Sequence, residues 1–405
     1  MPTPLANSSR AVLADGHAPA HLRDDWTAGG FGIYIHWPFC AAKCPYCDFN
    51  SHVVDAVDHE RWKRAFLAEI DRYADWLPGR TLNAIFLGGG TPSLMDPETV
   101  AAVIERIRRH WPVANDLEVT LEANPGSVEA GRFSAFAAAG VSRVSIGVQA
   151  LNDPDLRRLG RIHSTAEAMQ AIAIARERFA RVSFDLIYAR QHQTVQQWQD
   201  ELRRALDMAP DHLSLYQLTI EPGTAFGARR AAGGLKGLPD EDRAADMYSA
   251  TQDVCDAAGL PAYEVSNHAR PRSESRHNLI YWRYGDYIGI GPGAHGRITR
   301  NGQRHATETW TMPERWLKAA EEGQGECAIR PLRGQEQAEE YVMMGLRIAE
   351  GLEMDRFARL RGTGFDSSAL KELQDLEMIT IEGRRLRVTA AGRPILNAVI
   401  RALLS

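Results

Sequence analysis

Phe31-Gly-Ile-Tyr34-Ile-His36-Trp-Pro-Phe-Cys40-Ala-Ala-Lys-Cys44-Pro-Tyr46-Cys47 sets an apolar, β-branched run directly before three cysteines crowded into eight positions. Pro38 and Pro45 oppose a helix across the cysteines, because proline has no amide to donate and its predecessor avoids helical backbone. The reading is a strand, Phe31 to His36, that delivers a loop of thiols at its carboxyl end. Outward from it, five similar runs follow: Leu82 to Leu87, Leu117 to Leu121, Arg143 to Val148, Val182 to Leu186 and His212 to Leu218. Each is apolar on both faces, as buried parallel strands are. Amphipathic stretches near His59 to Trp76, Pro97 to His110, Glu129 to Ala139, Thr165 to Phe179 and Thr194 to Met208 separate them, opened by Ser, Thr, Asp or Pro. This alternation predicts parallel strands joined by crossover helices.

In such architectures the chemistry gathers at the carboxyl ends of the strands. Those ends carry the cysteine loop, then Gly88-Gly89-Gly90-Thr91-Pro92, Glu122, Gln149, Asp185, and finally Gln217 with Thr219. A closed barrel takes eight units and only six are found, so a partial (β/α)6 barrel is expected over residues 31–222. Residues 223–334 read as a connecting region with a helix from Glu241 to Ala258 and an aromatic, glycine-rich block from His277 to Gly296. Residues 335–405 read as helices, a hairpin turning at Glu382-Gly383 and a last apolar helix, a winged-helix-like α+β domain. Met1 to about Gly30 reads as a loose tail.

Of 405 residues, 44% are hydrophobic and 24% charged, the composition of a globular protein. With 47 basic against 52 acidic side chains the net charge is -5, which argues against a nucleic-acid partner. The uncharged run Trp26 to Ala42 is broken by glycines, His36 and Pro38, so no membrane span is expected. Five cysteines are too few for a disulfide framework. With no targeting leader evident, a reducing compartment, the cytoplasm, is expected.

Three thiolates on one loop can wrap a metal centre. Structural zinc would need a fourth ligand, His36 or His52. A four-iron cluster on three cysteines leaves one iron open to a small molecule. Glu122, Gln149 and Asp185 can bond ribose hydroxyls, Arg161 can meet a carboxylate, and the glycines let a ligand approach backbone closely. Each also has a plain reading as a cap, turn or barrel-rim residue. Gly291-x-Gly293-x-x-Gly296 matches a dinucleotide fingerprint in spelling, but Pro292 intrudes and no helix follows, so a nicotinamide cofactor is rejected.

The spacing CxxxCxxC resembles the radical S-adenosylmethionine (radical-SAM) signature, which implies a [4Fe-4S] cluster whose open iron takes the methionine amino and carboxylate groups. The block from Tyr34 to His52 is similar to that of the oxygen-independent coproporphyrinogen III oxidases and their radical-SAM heme-chaperone relatives (HemW type). So are Phe86-Leu-Gly-Gly-Gly-Thr-Pro92, Glu122-Ala-Asn-Pro-Gly126, Ser145-Ile-Gly-Val-Gln149, Leu159-Gly-Arg-Ile-His163 and Asp185-Leu-Ile-Tyr188. The resemblance runs from about Phe31 to the C-terminus. It implies that Cys40, Cys44 and Cys47 hold the cluster, that Tyr34 and Tyr46 flank it, and that Gly89, Gly90, Thr91, Glu122, Gln149, Arg161 and Asp185 contact S-adenosylmethionine. It also implies an electron donor for the cluster.

The oxidases carry a fourth cysteine two positions after the third; here that position is Phe49. The chaperone branch resembles Asp48-Phe-Asn-Ser-His52 and the block His277-Asn-Leu-Ile-Tyr-Trp282. The resemblance therefore implies heme and heme-accepting proteins as partners. His277 reads as an iron ligand or as a structural histidine in an aromatic cluster, and Arg276 and Arg283 as partners for propionates or as a solvated face. The alternatives are an oxidative decarboxylase of coproporphyrinogen III and a zinc-stabilised interaction protein. One departure stands out: where the family has Gly-Leu-Pro after Tyr188, this chain has Ala189-Arg190-Gln191, which questions how that half of the cavity is built.

Overall fold

The computed structural model describes residues 24–405. The six expected strands form, parallel and in chain order: β1 (Phe31–Trp37), β2 (Leu82–Gly89), β3 (Val113–Ala123), β4 (Arg143–Gln149), β5 (Arg181–Tyr188) and β6 (His212–Gln217). Between them run α1 (His59–Trp76), α2 (Pro97–His110), α3 (Ala130–Ala138), α4 (Asp153–Arg158), α5 (Thr165–Arg178) and α6 (Val195–Asp207). Local chemistry places the helix starts. Ser164 with Glu167 and Thr194 with Gln197 form capping boxes at α5 and α6, each worth about 1 kcal/mol.

Period two sorts β1 into faces. Phe31, Ile33, Ile35 and Trp37 are buried, with Phe31 against Trp111 and Trp37 against Trp62 in the helix layer. Tyr34 and His36 alternate with them and point inward. Such aromatic side chains stabilise by roughly 1.5–3 kcal/mol each on full burial.

Residues 223–334 do more than connect. β7 (Asn267–Ala269) adds antiparallel to β6, and β8 (Asp286–Ile290) adds parallel to the free edge of β1. From β8, β9 (His295–Arg300), β10 (Gln303–Thr309) and β11 (Glu326–Pro331) extend the sheet antiparallel. The eleven-stranded sheet ends at β11 on one side and β7 on the other, so the barrel stays open.

The C-terminal unit is a second core. Leu352–Glu353, Ile379–Glu382 and Arg385–Val388 form a three-stranded antiparallel sheet. It packs with helices Gly334–Gly345, Met354–Arg361, Ser367–Asp375 and Leu396–Leu404 around Phe357, Leu386 and Val399. The hairpin turns at Gly383, whose φ of 62° is the left-handed conformation glycine adopts without a steric cost. Arg356 ties this unit to the barrel, donating to the Tyr284 carbonyl (2.9 Å) and pairing with Asp25 (2.8 Å).

Of the expected tail, residues 1–23 lie outside the described residues. Asp25–Ala28 form a 3-10 turn, and Trp26 lies under the Arg80 guanidinium. No helix among the described residues is long and apolar enough to cross a membrane.

Candidate cluster and ligand site

The loop after β1 closes on itself. The Cys40 amide donates to the His52 carbonyl (2.9 Å) and the His52 amide to the Pro38 carbonyl (2.7 Å). Cys40, Cys44 and Cys47, half-buried and free of disulfides, line one cleft. Burial pushes the Cys40 and Cys47 thiols up. Against that, the Thr91 hydroxyl donates to Cys40 Sγ (3.4 Å), and a donor aimed at sulfur favours its thiolate. Arg161 Nη1 donates to Cys44 Sγ (3.3 Å).

The end of β2 passes against this loop. The Gly90 amide donates to the Trp37 carbonyl (2.7 Å), and a Cβ at Gly90 would stand 2.7 Å from the Phe39 carbonyl oxygen. The Gly89 amide turns into the barrel and donates to Glu122 Oε2 (3.1 Å). Gly89 and Gly90 therefore offer the cleft close access to backbone, while both amides already serve the protein.

Across the cleft lie two carboxyl groups. Burial, with the Asp185 charge adding to it, pushes Glu122 up to about 8. Burial likewise lifts Asp185 to about 6, although Ser145 donates to it (3.2 Å). Arg161 is set by the Asn124 side chain (2.7 Å) and the Gly147 carbonyl (2.9 Å), which leaves its Nε buried without a partner. Gln149 ends β4 at φ 73°, where the β4–β5 register shifts. A non-glycine residue held there costs on the order of 1–3 kcal/mol, and such strain concentrates at functional sites.

Cys40, Cys44, Tyr46, Cys47, Gly89, Gly90, Thr91, Glu122, Gln149, Arg161 and Asp185 thus line one cleft. Asn124, Ser145 and Gly147 join them. None of these three was named as a site residue, though all stand inside the quoted motifs Glu122-Ala-Asn-Pro-Gly126 and Ser145-Ile-Gly-Val-Gln149. The donor set fits a multi-iron group with a polar organic ligand: spread thiols, unpaired carboxyls and one unsatisfied guanidinium N–H. Among the described residues no three His, Cys, Asp or Glu side chains converge as ligands of one ion.

Tyr34 faces a second cavity of about 440 Å³, walled by Tyr34, Phe86, Tyr281, Trp282 and Tyr287. Phe49, Gly89 and Glu122 line both, so the two spaces adjoin. His277 lines neither. It is 4% exposed, stacked on Phe86 (4.3 Å between ring centroids) and edge-on to Tyr281 (4.5 Å), and burial pushes it down to about 3, so the ring is neutral. Arg276 and Arg283, the candidate propionate partners, pair with Asp116 and Glu350.

The departing loop builds away from the cleft. Ala189 takes φ 58°, the left-handed conformation that the family's glycine would adopt freely. Arg190 turns inward, 3% exposed, to Asp155 of α4 (2.8 Å) and Glu201 of α6 (2.5 Å). Residues 189–191 do not line the thiol cleft.

Comparison with known proteins agrees with this geometry. Residues 34–205 match the radical SAM superfamily and residues 332–395 the HemN C-terminal domain. The chain is 37% identical to the heme chaperone HemW of Escherichia coli over 377 residues, covering 92% of this chain and 98% of that one. It is 39% identical over 385 residues to the mitochondrial radical S-adenosyl methionine domain-containing protein 1 of Bos taurus, covering 92% and 87%. Its fold superposes on the coproporphyrinogen III oxidase (HemN) of Escherichia coli, a radical SAM enzyme, with a TM-score of 0.78 at 22% identity, covering 94% of this chain and 92% of that one. The chain belongs to the radical-SAM heme-chaperone family of HemW type, within the oxygen-independent coproporphyrinogen III oxidase family.

Proposed function

We propose that this protein binds heme and hands it to acceptor proteins, on a scaffold that also binds a [4Fe-4S] cluster and S-adenosylmethionine. The observation that carries the reading is the aromatic cavity adjoining the thiol cleft, with Phe49 between the two. Flat aromatic walls suit a planar tetrapyrrole, and ligand cavities of this kind span about 300–1,000 Å³. Cys40, Cys44 and Cys47 hold the cluster. Glu122 and Asp185 accept from ribose hydroxyls, Arg161 Nε meets a carboxylate, and Tyr46, Thr91 and Gln149 frame the remainder. When bound, these groups supply one-electron cleavage of a carbon–sulfur bond, fed by an external electron donor. Unpaired cysteines fit a reducing setting, and the cytoplasm is the compartment proposed.

The oxidase reading shares the scaffold but meets Phe49, 60% exposed, where the oxidases carry a thiol. Phenylalanine has no exchangeable proton to offer. The test is anaerobic: protein with intact cluster is titrated with heme, then supplied with S-adenosylmethionine, a low-potential reductant and coproporphyrinogen. Saturable heme binding without protoporphyrin formation is expected. Multiple turnovers to protoporphyrin would replace the chaperone reading with the oxidase one.

A further inference from the structure

We propose that His295 is the iron ligand for heme in the aromatic cavity, and that the glycine run before it exists to place that imidazole. The inference rests on the heme-binding reading above and names the contact on which it turns.

Comparison of the cavity's imidazole, phenol and thioether donors leads there. His36 is buried with both nitrogens in use: Nε2–H donates to the Asn50 carbonyl (2.9 Å), so Nδ1 accepts from the Tyr34 hydroxyl (2.9 Å). Tyr34 is committed to that bond, and burial pushes the Tyr281 and Tyr287 phenols up, away from the phenolate that would bind iron. Met344 offers a thioether, a soft donor that does not hold ferric iron alone. His277 lies outside the cavity in its stack. His295 lines the cavity and is exposed at its mouth.

The segment that carries His295 is clamped more tightly than a connecting loop needs. Gly291 (φ 113°) and Gly293 (φ 76°) both require the left-handed side of backbone space. A Cβ on Gly291 would stand 2.2 Å from the His36 carbonyl oxygen, and one on Gly293 2.6 Å from Asn50 Nδ2. Asn50 Nδ2 donates to the Pro292 and Thr311 carbonyls (2.9 and 2.8 Å), while Asn50 Oδ1 accepts from His52 (3.1 Å). From the other side, the Thr309 hydroxyl donates to the Gly291 carbonyl (2.6 Å) and the Ala294 amide donates to Thr309 Oγ1 (2.8 Å). The glycines that spelled a dinucleotide motif therefore serve close backbone packing, and β9 follows them with His295 as its first residue. Asn50 and His52 belong to the cysteine loop, so the loop that holds the thiols also positions the iron ligand.

The experiment uses the full chain, purified anaerobically, titrated with ferric heme and separately with metal-free protoporphyrin IX. For His295→Ala we expect a changed Soret band and spin state and at least roughly tenfold weaker heme binding. Protoporphyrin affinity, iron and sulfide should stay unchanged, and added imidazole should restore the heme spectrum. Asn50→Ala should loosen iron ligation in the same direction, and His277→Ala should leave the spectrum in place. If wild-type protein takes up no heme, the heme-binding reading falls and this assignment with it. If wild-type protein binds heme and His295→Ala gives the same spectrum and affinity, the assignment alone is overturned. Equal loss of heme and protoporphyrin in His295→Ala would also overturn it, because His295 would then shape the cavity rather than bind iron.

Discussion

The Gly89 amide donates to the Glu122 carboxylate at 3.1 Å, across the carboxyl ends of the adjacent strands β2 and β3. That bond favours ionised Glu122, yet burial and the Asp185 charge outweigh it and lift the group from 4.5 to about 8. Below its ordinary value Glu122 is protonated whether the chain is folded or not. Between there and about 8 the unfolded chain releases the proton and the folded one retains it, so stability falls as pH rises through this window. Asp185, lifted from 3.8 to about 6, acts with the same sign over its lower range. Urea unfolding of cluster-free protein should therefore show a Glu122→Gln variant that gains on wild type as pH approaches about 8. Parallel pH profiles for the two proteins would contradict the burial argument.

Losing the thiol anchors should remove the metal centre. Reconstituted Cys40→Ala/Cys44→Ala/Cys47→Ala protein should lack bound iron and sulfide while keeping its far-ultraviolet dichroism, since the cysteine loop is closed by backbone bonds between Pro38, Cys40 and His52. Undiminished iron and sulfide would place the cluster elsewhere.

S-adenosylmethionine should perturb the paramagnetic spectrum of the reduced cluster, and Gly89→Val should abolish that response with iron content retained. Gly89 sits at φ 111°, and any Cβ there would stand 2.7 Å from the His36 ring, so a branched side chain displaces the strand end. A response identical to wild type would move the ligand away from β2.

Arg190 should matter for stability and little for the cluster. Arg190→Ala leaves Glu201 without its buried cation, while Asp155 keeps Arg158 (2.7 Å), and breaking such a buried pair from one side costs about 3–5 kcal/mol. Chemical denaturation should read that loss while iron and sulfide stay unchanged. A near-neutral result would mean the pair is solvated or repacks.

The six parallel strands and their helices were legible because each level agreed: apolar runs of strand length, capping signals, and polar residues at every strand end. The rule that chemistry sits at those ends, with the family resemblance for Tyr46 and Arg161, brought eleven expected residues to one cleft, whereas Gln217 and Thr219 at the end of β6 do not line it. The side of the sheet beyond β1 was not legible. Asp286–Ile290 is a five-residue run containing glycine, and its partner β1 lies some 250 positions earlier, so no local pattern announces the pairing. Asn50 likewise acts on Pro292, 242 positions away. Tyr34 was expected beside the cluster and borders the second cavity, because alternation along a strand fixes which face a side chain shares but not which space lies over that face. The placements of Arg190 and His277 also needed tertiary structure: the arginine's partners Asp155 and Glu201 come from two different helices, and the histidine's ring neighbours Tyr34 and Phe86 from β1 and β2.

The central claim, that heme is carried to a partner, is tested most directly by the rate of its departure. Anaerobic, heme-loaded protein is mixed in a stopped-flow cell with rising concentrations of an apo b-type cytochrome domain, and the acceptor's heme spectrum is followed. Direct handover predicts an observed rate that rises with acceptor concentration. A rate independent of the acceptor, the signature of passive release into solution, would contradict the account.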